Sequence, residues 1–203
     1  YSCTSLESIS LGDMSSVTAM SFMFGRCTSL KSVSLGDMSS GTYVINMFNG
    51  CTSLKSVSLG DVSSVTHVMN MFNGCTNLEY MDLSGGDINK IKDILHLAEV
   101  STIHTLILNN CTMDSITVTL DLENYDDLVY IDLRNTTLLG TLTIETNSAG
   151  AVIKVLTSGL TGTVIWPQNG RHEEYLDITD FISSHGQYTD ITSGFVRGPY
   201  DSN

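Results

Sequence analysis

Basic residues are scarce. Nine Lys plus Arg stand against 22 Asp plus Glu in 203 residues, a formal net charge of −13 with a pI near 4.4. A field of that sign repels phosphate backbones, and only a local basic patch would bring nucleic acid to such a surface. Arg26, Lys31, Lys55, Lys90, Lys92, Arg134, Lys154, Arg171 and Arg197 are scattered rather than gathered, so nucleic acid is not an expected partner. No apolar run approaches the roughly 18 residues of a membrane span, which argues against membrane insertion within this chain. A basic n-region followed by an apolar h-region is also missing from the start. The opening Tyr1-Ser2-Cys3-Thr4-Ser5-Leu6 aligns with Asn49-Gly50-Cys51-Thr52-Ser53-Leu54. The chain therefore reads as a fragment that opens mid-repeat, with localisation signals, anchor and flanking domains elsewhere.

Signatures of catalysis are missing too. His67, His96, His104, His172 and His185 lie far apart, and none has a Ser or Cys nucleophile beside it in a recognisable motif. Arg171-His172-Glu173-Glu174 lacks the second His on one helical face that a zinc peptidase needs. There is no phosphate-binding glycine loop, and no Cys or His pair at zinc-ligand spacing. The expectation is a protein that is not an enzyme, with no catalytic residue, metal or cofactor.

What the sequence has is a repeat, and hydrophobic residues at 41% are enough to give it a core. Cys3, Cys27, Cys51 and Cys75 recur every 24 residues. Each is followed by Thr-Ser/Asn-Leu, and the last three are preceded by Met23-Phe24, Met47-Phe48 and Met71-Phe72. A short strand pattern, L-x-x-V-x-L, follows each: Leu6/Ile9/Leu11, Leu30/Val33/Leu35, Leu54/Val57/Leu59 and Leu78/Met81/Leu83. Ile103/Leu106/Leu108, Leu128/Ile131/Leu133 and Val152/Val155/Thr157 continue the spacing, giving about seven turns with a weak eighth at Leu176.

Between strands, Val17/Met20/Phe24 and Val65/Val68/Phe72 recur at three- and four-residue steps, a helical period. Gly41 at the equivalent of Val17 makes the middle helix the least regular. Asp13, Asp37 and Asp61 are placed to cap these helices, and Gly25, Gly50 and Gly74 to release the chain from them. Inter-turn Ca²⁺ binding is the competing use of the aspartates. A longer amphipathic helix, Asp87 to Val100, carries Ile88, Ile91, Leu95 and Ala98 on one face. Beyond it, Ile116–Leu120, Leu142–Ile144 and Val164–Trp166 are β-branched and predict strands on the return side.

The predicted architecture is an α/β solenoid, a right-handed leucine-rich repeat with a parallel sheet. Short helices form its return side in the N-terminal turns and β-strands form it in the C-terminal turns. Residues 1–170 make the solenoid; residues 171–203, which break the period, make a C-terminal cap or a linker. Inward-pointing cysteines at equivalent positions read as buried thiols, with disulfides as the alternative. The fifth, Cys111, falls out of register and leaves an odd number.

The run from Met47 to Val68, with its neighbours, resembles the BspA-like leucine-rich repeats of bacterial surface proteins, most closely over residues 1–84. The resemblance implies an exported display scaffold of a host-associated microbe, engaged in adhesion to host proteins or other cells. Similar repeats in phage proteins keep a structural spacer or virion component as the alternative. It carries over no catalytic residue.

Residues between the inward apolar positions alternate onto the open sheet face. The early turns place only serines there. The later turns place Tyr80, Asp82, Thr105, Ile107, Tyr130, Asp132 and Lys154 there. Tyrosine among polar groups on a rigid sheet suits protein recognition, and these seven are the candidate contacts for a host or neighbouring-cell protein or glycan. The competing reading is an ordinary sheet face.

Overall fold

A computed structural model describes residues 2–96, 101–146, 153–166 and 172–175. The chain winds as a parallel-sheet solenoid of about six coils with one short helix. Its main wall is an eight-stranded sheet. In spatial order the strands are β1 (Ser8–Leu11), β2 (Ser32–Leu35), β3 (Ser56–Ser58), β4 (Tyr80–Asp82), β5 (Thr105–Ile107), β8 (Tyr130–Asp132), β10 (Ile153–Leu156) and β12 (His172–Tyr175). Every pair is parallel and in register, so Ile9, Val33, Val57, Met81, Leu106, Ile131 and Val155 form one inward column.

The leucines around them fill a continuous interior, with Leu30, Leu54, Leu78, Ile103 and Leu128 all buried. The Met-Phe pairs complete it. Phe24, Phe48 and Phe72 stack as a ladder with ring centroids 5.5 and 5.3 Å apart and rings within 8° of parallel, about the spacing of adjacent strands. Cys27, Cys51, Cys75 and Cys111 are buried free thiols, and Cys3 is exposed. The Cys51 Sγ donates to the Phe24 carbonyl at 3.1 Å and the Cys75 Sγ to the Phe48 carbonyl at 3.2 Å. Each thiol thus bonds the preceding coil.

The early return segments are not helices. Their residues form successive tight turns with isolated bridges Ala19–Tyr43–His67. Coil-to-coil bonding explains this. The amides of Met20, Phe22, Phe24 and Arg26 donate to the carbonyls of Tyr43, Ile45, Met47 and Asn49. Those of Met23, Gly25 and Cys27 close turns onto Met20, Phe22 and Phe24. Left-handed backbone at Phe22, Asn46 and Asn70 (φ 60°, 54° and 54°) breaks any α-helix. The apolar three- and four-residue spacing therefore records a string of turns whose period imitates that of a helix.

The second left-handed column is Arg26, Gly50 and Gly74, so in the first coil Arg26 takes the place expected for Gly25. Asp13, Asp37 and Asp61 do bind amides two residues on, those of Ser15, Ser39 and Ser63, at 2.7 to 2.8 Å. They hold Asx turns rather than helix ends. Gly41 is buried, and the methyl of Met20 occupies the space its missing side chain would take.

The helix α1 (Ile88–His96) buries Ile88, Ile91, Ile94 and Leu95, and the Asp87 carboxylate accepts the Asn89 amide at 2.9 Å at its start. Ala98 and Val100 lie outside the described residues. Past α1 the return side becomes a second parallel sheet, with β6 (Thr112–Met113), β7 (Thr117–Leu122) and β11 (Thr161–Ile165) all pairing with β9 (Thr137–Thr146). Two-walled parallel coils follow the β-branched runs there. The eighth strand of the main sheet arrives early, with His172 opposite Ile153; Val152, Leu176 and residues 176–203 lie outside the described residues.

Candidate binding surface

Strand register brings the seven sheet-face residues together. Tyr80, Thr105, Tyr130 and Lys154 form one column, and Asp82, Ile107, Asp132 and Leu156 the next. Their exposure differs from the expectation. Thr105, Ile107, Tyr130 and Asp132 are buried, Asp132 to 1% exposure and Tyr130 to 2%, and Tyr80, Asp82 and Lys154 are only part-exposed. Ile107, Tyr130 and Leu156 pack as a small apolar cluster on this face, with Tyr80 and Val129 against it. Burial, then Asp82 and Asp132, push the Tyr80 hydroxyl well above its ordinary range.

The two aspartates are engaged within the fold. The Asp132 carboxylate accepts the Arg134 Nε at 2.9 Å, Nη2 at 2.6 Å and backbone amide at 3.0 Å, and the Asn109 side-chain amide at 3.2 Å. Asp82 accepts the Ser84 amide at 2.9 Å and the Ser58 hydroxyl at 3.2 Å. A carboxylate so saturated has little left for a partner. Among the described residues of this face, the exposed ones are the serines Ser8, Ser10 and Ser34 of β1 and β2.

The exposed apolar surface is on the other wall. Among the described residues the large exposed hydrophobics are Phe22, Tyr43, Met69, Ile116, Leu139 and Ile165. All six stand on return segments or beside the return sheet, Met69 at 62% and Ile116 at 85% exposure. In the early coils the bridges set Tyr43 between Ala19 and His67. The Tyr43 and His67 rings stack with centroids 4.5 Å apart and planes within 21°, and the Thr66 hydroxyl lies 2.8 Å from the His67 Nδ1. Ile45, part-exposed, and Met69, exposed, follow two residues along the same segments. Beyond α1 the return sheet presents Thr117, Thr119 and Thr163 to solvent, with Thr141 and Thr143 part-exposed.

A family described as "Mycoplasma protein of unknown function, DUF285" matches residues 1–106. The chain belongs to this family. No curated protein and no solved structure matches it. The DUF285 match spans β1 to the start of β5, and so includes the Tyr43 surface and the glycine, aspartate and cysteine columns. Among the described residues no three His, Cys, Asp or Glu side chains are grouped to hold a metal ion. No described helix is long and apolar enough to cross a membrane.

Sequence reasoning passed over the return surface because a helical reading turns Tyr43, His67 and Met69 into ordinary helix-surface residues. One signal was available. Tyr43 and Ile45 stand where the first coil has Ala19 and Ser21, an apolar increase at positions that the Val17/Met20/Phe24 spacing leaves outside.

Proposed function

We propose that this DUF285 chain is a binding module, displayed at a cell surface or secreted, that recognises a protein or glycan of a host or neighbouring cell. The resemblance of residues 1–84 to BspA-like repeats supports display. The contact surface in this reading is the return wall of the coil rather than the open sheet face.

The observation that carries it is Phe22. This ring is held exposed at a left-handed backbone position (φ 60°) that the next two coils give to Asn46 and Asn70. A bulky side chain there costs about 1 to 2 kcal/mol. Stability forgone to keep an aromatic ring at the surface, beside Tyr43 and Met69 on the same wall, is what a recognition surface would retain.

Attachment of the purified chain to cultured host cells tests the proposal. Alanine at both Tyr43 and Met69 reduces attachment by about tenfold or more while leaving the melting temperature near that of the parent. Unaltered attachment removes the assignment. The coil-to-coil bonding of the described residues favours a second reading, a rigid spacer or virion component, in which variants on either wall leave attachment unchanged.

A further inference from the structure

We infer that the return surface of the first three coils docks an arginine-bearing basic segment of a protein. This rests on the binding-module reading and names its partner's chemistry.

The apolar part is already built. Tyr43 presents one ring face to His67, and the other looks along the coil axis toward Ala19, a methyl where a third ring could have stood. Ile45 and Met69 stand two residues beyond the stacked pair, part-exposed and exposed. A guanidinium fits the open face of Tyr43 as a planar cation over an aromatic ring, and its aliphatic stem fits Ile45.

Charge selects the cation. From Asp13 to Gly25, Asp37 to Gly50 and Asp61 to Gly74, the only charged side chains are the three aspartates, and Arg26 stands beyond them at the far corner. Asp13 and Asp37 are exposed and Asp61 part-exposed. Each accepts the Ser15, Ser39 or Ser63 amide through one oxygen, and at Asp13 the Ser15 hydroxyl bonds the carboxylate as well. Neighbouring coils set the column at about 4.8 Å per step, so the three carboxylates offer one acidic edge to a cation. The nearby lysines are turned to other duties, with Lys31 on Glu7 at 2.9 Å and Lys55 on Glu79 at 3.6 Å.

The partner is a macromolecule because the surface is an exposed face of stacked segments, and such faces bind through aromatic anchors. A glycan without cationic groups would leave the aspartate column desolvated and unpaired.

The test is a fluorescence-anisotropy titration with a labelled peptide of alternating arginine and leucine, beside its lysine counterpart. Tyr43→Ala and Asp37→Asn each weaken arginine-peptide binding about tenfold; the Asn keeps the acceptor for Ser39. Asp121→Asn and Glu145→Gln, on the distant return sheet, leave it unchanged, and the arginine peptide binds more tightly than the lysine one. Equal losses from the distant pair would reveal only the general acidic field. That result, equal affinity for both peptides, or no binding overturns the inference. Host-cell attachment of the same variants separates the two levels. Attachment lost in Tyr43→Ala with no peptide binding sinks the basic partner and keeps the surface, whereas attachment unchanged sinks both.

Discussion

The guanidinium of Arg134 closes on the carboxylate of Asp132, two residues before it, through two side-chain hydrogen bonds of 2.6 and 2.9 Å. Asp132 keeps only 2% of its side-chain surface in contact with solvent and Arg134 25%. Removing the cation leaves a buried carboxylate without its main counter-charge, a change that costs about 3 kcal/mol. Arg134→Ala should lower stability by that amount in urea titration, and Arg134→Lys should recover only part of it, because a lysine cannot reproduce the fork. A change under about 0.5 kcal/mol would mean that the pair contributes little.

Glycine spacing gives a second, position-dependent prediction. A Cβ on Gly36 would run into the Gly12 carbonyl, and one on Gly60 into the Gly36 carbonyl, whereas one on Gly12 would meet nothing. Gly60→Ala should therefore destabilise by about 2 kcal/mol. Gly12→Ala should be neutral, or stabilising by up to about 1 kcal/mol through the unfolded chain. Thermal melts of the two variants decide the matter, and equal effects would contradict the coil stacking.

Phe22→Asn should behave in two ways at once. It places at a left-handed position the residue that Asn46 and Asn70 supply in the following coils, so stability rises by about 1 kcal/mol. It also removes an exposed ring from the return wall, so attachment to host cells falls. Higher stability with undiminished attachment would separate Phe22 from recognition.

The buried thiols set a limit at alkaline pH. Burial raises Cys51 from its ordinary 9.0 to about 11, and Cys75 and Cys111 to about 12. Below the ordinary value both folded and unfolded thiols are protonated, and their contribution is whole. Above it the unfolded chain ionises while the folded chain does not, so stability declines as pH rises from 9 toward 12. Melting temperatures should hold to about pH 9 and then fall. At neutral pH a thiol reagent should label Cys3, the exposed one, and reach the others only on unfolding. Rapid labelling of Cys51 or Cys75 in the folded chain would contradict their burial.

Much of the coil was legible because its interior is written as columns. Leu30, Leu54 and Leu78, the inward Val33, Val57 and Met81, and the thiols every 24 residues fix strand register whatever joins the strands. The β-branched runs around Val118 and Leu142 likewise announced the return sheet. The early return segments were misread because a string of turns buries residues at helical spacing, and only backbone bonding between coils tells the two apart. The burial of four of the candidate contacts was not legible, for a different reason. Alternation places Tyr130 and Asp132 outside the core, but whether an outward residue stays open depends on what packs over it, and no local pattern reports that.

The central claim, that recognition belongs to the return wall, is tested most directly by planting a bulky charge on each wall in turn. Arginine at Ile45 and Met69 should abolish host-cell attachment, while arginine at Ser10 and Ser34 on the open sheet face should leave it intact, with both variants melting near the parent. Loss confined to the serine variant would move recognition to the sheet face and contradict the account.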